Sequence, residues 1–203
     1  IDQSLTFTAI WEETTQHLHF DVTHSNLSGV QGIATTDKTA KTGEPVSLPQ
    51  APSYTAASNP TGYTFLGWTT VSSGYVQGTS PLYTNTFTMT PGERNTTVYT
   101  QGEAGYGVTL YPVFRENSVT INYQFCTGVS GMGTLSRSSE SVSMVNGTAS
   151  GATATANAGH TFLGWYSSAT PAADNSNRLS TSATFTPSKV GGVYAAATYY
   201  ALF

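Results

Sequence analysis

A seven-residue phrase occurs twice in this chain of 203 residues, as GYTFLGW at residues 62–68 and as GHTFLGW at residues 159–165. A duplicated phrase can mark two active sites, two binding sites or two copies of one building block. Here the surroundings are duplicated as well, because each copy is followed by a polar loop and then by TFTMTP (residues 86–91) or TFTP (residues 184–187). Repetition of whole segments in order is typical of tandem structural repeats.

Each repeat closes on a strand-like stretch, which predicts the repeat boundaries. The stretch reads TLYPVF at residues 109–114, TYYALF at residues 198–203 and TFTAIW at residues 6–11. We therefore predict the closing strand of a preceding repeat in residues 1–16, one full repeat in residues 17–116 and a second in residues 117–203. An apolar strand without its own sheet is a template for edge pairing, so we expect the first stretch to pack against the repeat that follows it.

The openings of both repeats alternate between apolar and polar residues, in HLHFDV (residues 17–22) and VTINYQF (residues 119–125). A period of two predicts a strand with one buried face. Thr, Val, Tyr and Phe, which suit strands, are frequent, and long runs of helix formers are missing, so we predict a mainly β fold. The segments before the repeated phrase, residues 42–54 and 143–158, are rich in Gly, Pro, Ser and Ala, and we interpret them as loops.

The repeated phrase itself predicts a core. Phe65 and Trp68 would lie on opposite faces of a regular strand, but a bulge at Gly67 adds one residue and returns Trp68 to the face of Phe65. Phe, Gly and Trp are identical in the two copies, whereas Tyr63 is replaced by His160. The predicted structural core comprises Phe65, Gly67, Trp68, Phe162, Gly164 and Trp165.

Charge and composition argue against several classes of function. The net charge is −4 and the seven Lys and Arg residues are scattered, whereas nucleic-acid binding depends on clustered cations, so we expect no nucleic-acid partner. Apolar runs are too short for a membrane span, so we expect no membrane insertion. One cysteine excludes a disulfide framework and a multi-cysteine zinc site. A Thr- and Ser-rich chain with 9% charged residues fits an exported bacterial surface protein.

The candidate sites for metal binding and catalysis are weak. His17 and His19 would share a strand face and His24 follows, but no third metal ligand is placed beside the first two, so we interpret them as surface residues. Residues 174–177, DNSN, resemble a calcium loop in composition, but only Asp174 is charged and a hard cation needs several carboxylates. The acidic residues are dispersed, without a carboxylate pair or a nucleophile–base pair. We expect no catalytic residue, no metal and no cofactor.

Two residues belong to types that form covalent bonds in bacterial surface proteins. Cys126, in YQFCTG, is the residue type of a thioester with Gln, but no matching Gln is identified and a buried thiol is favoured. Lys189 is the one plausible donor for an intramolecular Lys–Asn amide bond, which also needs a buried Asn and a carboxylate beside it.

Binding through exposed aromatic side chains is the main alternative to a structural role. Aromatic rings can form a stacking platform for sugars, but Trp68 and Trp165 recur within the core phrase. A ligand site would therefore use aromatics that differ between the repeats. The candidates are Tyr75, Tyr83, Tyr106 and Tyr166.

The repeated phrase, the polar loop and the closing strand together resemble the Listeria–Bacteroides repeat, also called the internalin B-repeat family. The resemblance covers nearly the whole chain, as two full copies and one tail. It implies tandem β-grasp, ubiquitin-like modules with little helix, on extracellular bacterial surface proteins that are attached to the cell wall through another part of the protein. It implies no catalytic residues.

This resemblance favours a stalk or spacer that presents distal domains and contacts neighbouring repeats of the same chain. The alternative is an adhesive module that binds a host glycan or protein. The chain departs from the family pattern by extra residues around 31–41 and 101–107. It also carries Pro112 inside a closing strand, where proline cannot donate a ladder hydrogen bond, which argues against a central position for that strand near Pro112.

Overall fold

The computed structural model describes residues 8–9, 15–23, 25, 37–50, 61–95 and 105–203. Every regular element in these ranges is a β-strand, so the predicted mainly β fold is confirmed. Of these residues, those up to Arg115, without Thr61–Tyr63, form one compact unit, and Glu116–Phe203 with Thr61–Tyr63 form the other. The predicted strand at residues 6–11 lies outside the described residues, apart from Thr8 and Ala9.

The first unit is built on a five-stranded sheet. Its strands, with those of a small second sheet, are β1 (Thr15–Phe20), β2 (Lys38–Lys41), β3 (Pro45–Ser47), β4 (Tyr63–Thr69), β5 (Thr86–Thr88), β6 (Glu93–Asn95) and β7 (Gly105–Glu116). The large sheet has the order β2-β1-β7-β4, with β6 also paired to β7, and β3 pairs with β5. The first and last strands, β1 and β7, are parallel neighbours. The buried cluster includes Leu18, Phe20 and Val22 from the alternating opening.

Pro112 lies within β7, and β7 is nevertheless central, between β1 and β4. The argument against a central position was therefore wrong. The parallel ladder with β1 ends at Phe20 and Leu110, before the proline, and Thr23 donates its backbone N–H to the Asp21 carboxylate at 3.0 Å instead. The sheet accommodates the missing proline donor because β1 ends before it.

The second unit has a similar architecture, built from eight strands. They are β8 (Ser118–Phe125), β9 (Gly133–Leu135), β10 (Ser139–Ser143), β11 (Ala152–Ala156), β12 (Gly164–Tyr166), β13 (Arg178–Ser180), β14 (Thr184–Phe185) and β15 (Ala197–Leu202). One sheet has the order β10-β8-β15-β12-β13, and the other has the order β14-β11-β9. The neighbours β8 and β15 are parallel, whereas β10 and β12 run antiparallel to the strands beside them.

The large sheet of the second unit has the arrangement of a β-grasp. Its strands stand in the order second, first, fifth, third and fourth, with the first and last strands parallel in the centre. The segment between the second and third strands, where a ubiquitin-like module has a helix, contains β11 instead. The three-stranded sheet therefore covers the core in place of a helix, and Ala152 and Ala154 from β11 pack in one cluster with Trp165.

The interpretation of residues 42–54 and 143–158 as loops was wrong in part. They contain β3 and β11, respectively, and these strands make equivalent pairs, because Val46 lies opposite Phe87 and Ala152 lies opposite Phe185. In β11 the alternation of Ala and Thr is a strand pattern with small residues on the buried face. Alanine is rare in strands, and for this reason β11 was not predicted from the sequence.

Candidate functional site

The repeated phrase lies at the centre of each unit. Trp68 and Trp165 are both 0% exposed, and each indole N–H donates to a backbone carbonyl, of Pro49 at 2.8 Å and of Ala183 at 3.1 Å. Phe65 and Phe162 are half-buried and pack edge-on against these indoles, with ring centroids at 5.6 and 6.0 Å. A buried indole with a satisfied donor is a packing element and presents no surface to a ligand.

The glycine inside the phrase has a geometric role in both units. Gly67 and Gly164 have φ of 147° and 150°, a region that L side chains rarely adopt. A Cβ on Gly67 would lie 2.6 Å from the carbonyl oxygen of Tyr83, and one on Gly164 would lie 2.7 Å from that of Ser180. In the second unit the strand register shifts between Trp165 and Tyr166. The glycine therefore lets the neighbouring strand come close beside the bulge.

We predict that Gly164→Ala lowers the free energy of unfolding by about 1–3 kcal/mol, the usual cost of a strained backbone site. The matched control is Gly159→Ala in the same phrase, where φ is 81° and no atom lies within 4 Å of the added Cβ. Both variants place alanine at a positive φ, but only Gly164→Ala also brings the new Cβ against a neighbouring strand. The difference between their losses in urea unfolding therefore measures the contribution of that steric contact. Equal losses for the two variants would contradict a role for close strand approach.

The structure describes the side chains of three of the four candidate ligand tyrosines, and one of these three is buried. Tyr166 is 1% exposed and donates its hydroxyl to Asn175 at 2.8 Å, so its prediction as an exposed contact was wrong. Tyr83 is half-buried, bridges to Trp68 and packs edge-on against Phe87. Tyr75 is half-buried. The backbone of Tyr106 is in β7, but its side chain lies outside the described part of the chain.

A buried carboxylate in the second unit is the most organised polar group of the described residues, and the sequence analysis missed it. The Glu140 side chain is 8% exposed. It accepts hydrogen bonds from the Tyr123 hydroxyl at 2.6 Å and from Arg137 Nη1 at 3.2 Å. It also accepts from the backbone N–H groups of Ser150 at 2.9 Å and Gly151 at 3.0 Å. Glu140 thus joins β8 and β10 to the segment that leads into β11.

The surroundings of Glu140 favour its ionised form. Burial alone would raise the pKa of this carboxyl, but the hydrogen bonds from Tyr123, Ser150 and Gly151, with the charge of Arg137, outweigh burial and lower it. Burial and the hydrogen bond to Glu140 raise the pKa of Tyr123. The pair is held as a neutral phenol that donates to a carboxylate, which is a structural arrangement and not a poised acid or base.

The other sequence candidates are the histidines near β1, Cys126 and Asp174. His19 contacts Asp37 at 2.8 Å, and His24 lies outside the described residues. Within the described ranges no group of three or more His, Cys, Asp or Glu side chains could hold a metal ion. Cys126 is 3% exposed, and burial raises the pKa of its thiol. Asp174 accepts from the Ser176 backbone N–H at 3.0 Å, as in a polar turn.

Lys189 lies near the other two groups of a Lys–Asn amide bond, but on the surface. Its ammonium donates to the Val145 carbonyl at 2.5 Å, and Asn146 donates its side-chain N–H to Glu116 at 2.9 Å. Burial would raise the pKa of Glu116, but bonds from Asn146 and Val145 and the charge of Lys189 lower it. Lys189 and Asn146 are exposed, whereas this bond needs buried groups, so these contacts form a surface polar cluster.

A cavity of about 530 Å³ opens beside β8 in the second unit. Its lining surface is largely apolar and includes one cationic side chain. The lining residues are Tyr123, Gln124, Phe125, Gly133, Thr134, Leu135, Arg137 and Ser138. This volume lies within the usual range of ligand pockets, about 300–1,000 Å³. We call this cavity the β8–β9 notch.

The sheet order and the glycine bulge define a β-grasp-like repeat module in the second unit. Residues 127–198 match the family model of the divergent InlB B-repeat domain, which confirms the resemblance to the internalin B-repeat family in the second unit. Repeats of this family are typical of bacterial surface proteins. No curated protein and no solved structure matches the chain. Where the chain is described, it contains no helix that is long and apolar enough to cross a membrane.

Proposed function

We propose that this chain is a spacer in an extracellular, wall-attached bacterial surface protein, and that its repeats hold distal domains away from the cell. The observation that carries the proposal is the parallel pairing of the first and last strands, β8 and β15, from Ile121 and Ala197 to Phe125 and Ala201. Parallel strands start at the same end of a sheet. The chain therefore enters the unit at Ser118 and leaves it beyond Ala201, which lies opposite Phe125 and so about 23 Å along the sheet from Ser118 at 3.3 Å per residue.

The same pairing gives the unit resistance to tension. A pull on the entry and exit of the unit acts along β8 and β15 in opposite directions. Their ladder is then sheared, so that its hydrogen bonds carry the load together. An antiparallel pair pulled from adjacent ends opens one hydrogen bond after another. β1 and β7 are parallel neighbours in the first unit as well, so each module has the geometry that a load-bearing spacer requires.

We predict that the force needed to unfold the second unit depends on where it is applied. In the full chain, handles at Ser118 and Phe203 shear the β8–β15 ladder. Handles at Ser118 and Ser143, which lie opposite each other in β8 and β10, peel an edge strand. Single-molecule pulling should give a clearly higher unfolding force for the first pair of handles. Equal forces for both geometries would contradict the load-bearing role.

The alternative is an adhesive module that binds a host glycan through exposed aromatics. The burial of Tyr166 and the partial burial of Tyr83 and Tyr75 support the spacer over this alternative. A glycan array incubated with the chain separates the two proposals. Saturable binding that is lost when Tyr75 is replaced would favour the adhesin, whereas a spacer leaves the array blank. In the spacer proposal no residue of the chain is catalytic. The partners that the chain contacts are neighbouring repeats of the same protein.

A further inference from the structure

We propose that the β8–β9 notch is a strand-addition site for an extended peptide of a partner protein, in which an apolar residue is followed two positions later by a carboxylate, because these positions share one face of a strand. The proposal does not depend on the spacer function. Backbone groups along two strand edges that no other described strand covers would hold the peptide main chain. The apolar wall would hold its apolar side chain, and Arg137 would pair with its acid.

The first open edge belongs to the end of β8. Alternate residues of a strand direct their backbone groups to opposite sides. Cys126 donates its N–H to Ala201 of β15, whereas Tyr123 donates in the other direction, to the carbonyl of Ser138. Phe125 therefore points its N–H and C=O to the side of β10. The β10 ladder extends only to the pair Asn122 and Ser139, so the backbone of Phe125 extends beyond the last pair with β10.

The second open edge belongs to β9. This strand is the last one in the order β14-β11-β9. The Met132 carbonyl accepts from Asn157, and the Ser136 N–H donates to Thr153, so even-numbered residues bond towards β11. Gly133 and Leu135, between them, direct their backbone groups away from β11. Both residues line the notch, and an exposed strand edge of this kind is a template for a further strand.

The side chains around the notch select the chemistry of the occupant. Tyr123, Phe125 and Leu135 provide an apolar wall. The Arg137 side chain is 40% exposed and gives one nitrogen to Glu140, whereas a guanidinium has five N–H donors. Glu140 also accepts from three other groups. The remaining N–H donors of Arg137 can therefore bind a carboxylate on the incoming strand. The two groups have opposite charges, and the planar guanidinium can donate two parallel hydrogen bonds to a carboxylate.

Binding of a probe peptide tests the proposal. The probe is the acetylated and amidated hexapeptide Ser-Val-Ser-Val-Ser-Glu, titrated into the full, isotope-labelled chain and followed by the amide resonances. We expect saturable shifts and slower hydrogen exchange at Phe125, Gly133 and Leu135. The amide of Thr134, on the side that faces β11, should move less. Absence of saturation, or shifts confined to the open edge of β10, would overturn the proposal.

A double-substitution cycle tests the role of Arg137. We expect Arg137→Gln to raise the Kd of the glutamate peptide about fivefold, the effect of a half-exposed ion pair. The same variant should leave the Kd of a glutamine version unchanged. The matched control is Arg178→Gln, which removes an exposed arginine from β13 and should change neither value.

Two further results separate the peptide from other occupants. A probe with proline in place of the first valine cannot pair along the edge and should not bind, so equal binding would overturn the proposal. If the same amides shift on dilution without any peptide, the occupant is a second copy of the chain, and the assignment to a partner peptide is wrong.

Discussion

Trp165→Ala should lower the free energy of unfolding by about 3–5 kcal/mol, the usual cost of truncating a large aromatic core residue. Trp165 is fully buried. It packs against Tyr123, Phe162 and Phe185 with ring centroids 5.9–6.0 Å away. The substitution leaves a cavity between the two sheets and removes the hydrogen bond to Ala183. Urea unfolding followed by circular dichroism measures the loss.

The two copies of the phrase provide a replicate and a control. Trp68→Ala should have a similar cost, because Trp68 is equally buried and contacts Phe20 at 4.8 Å between ring centroids. Trp165→Phe keeps an aromatic ring and should cost less than Trp165→Ala. Tyr75→Ala, in a half-exposed position, should stay within about 1 kcal/mol. An unchanged unfolding midpoint for Trp68→Ala would contradict the core role of the phrase.

The sequence predicted the parts of this fold that depend on local pattern. The alternation in residues 17–22 and 119–125 predicted β1 and β8, because strand faces repeat every two residues. The duplicated phrase predicted where Trp68 and Trp165 are buried, since a residue type retained in two otherwise different copies is under the same packing constraint. The closing stretches predicted β7 and β15, including the strand that contains Pro112.

The parts that the sequence did not predict depend on contacts between distant segments. Tolerance of Pro112 depends on where β1 leaves the ladder, which the pattern of the closing strand does not contain. Burial of Tyr166 results from its packing with Cys126 and Val129, and nothing in the sequence around Tyr166 indicates these contacts. The division into repeats at residues 16 and 116 stays a prediction, although β1 starts at Thr15 and β7 ends at Glu116.

The sequence around Glu140 indicates a buried carboxylate but does not identify its hydrogen-bond partners. Glu140 and Val142 share one face of β10, and Val142 is buried, so an acid at this position of an edge strand is a local sign of a buried carboxylate. Its partners cannot be read from the sequence, because Tyr123 lies in β8 and Ser150 and Gly151 lie in the following loop. The chain offers no pattern that links these three positions.

We predict that Glu140→Ala is the most damaging single substitution of a charged residue among those described, with a loss of about 3–5 kcal/mol. It removes the acceptor of the Tyr123 hydroxyl, which is buried, and of two backbone N–H groups. A buried donor without an acceptor costs more than the original bond contributes. The control is Arg137→Gln, which removes only the exposed partner and should cost at most about 1 kcal/mol. A loss for Glu140→Ala no greater than for Arg137→Gln would contradict this account.

The pH profile of a second variant, Glu140→Gln, tests whether the charge itself contributes. The pKa of Glu140 is lowered on folding, so the folded state binds this proton less readily than the unfolded chain does. Its contribution to stability is therefore fully present above the usual carboxyl pKa of 4.5 and is lost as the pH falls through the lowered value. The original chain should lose more stability below pH 4.5 than Glu140→Gln, which has no proton to bind. Parallel profiles in urea unfolding would show that the hydrogen bonds, and not the charge, hold β10 to the loop before β11.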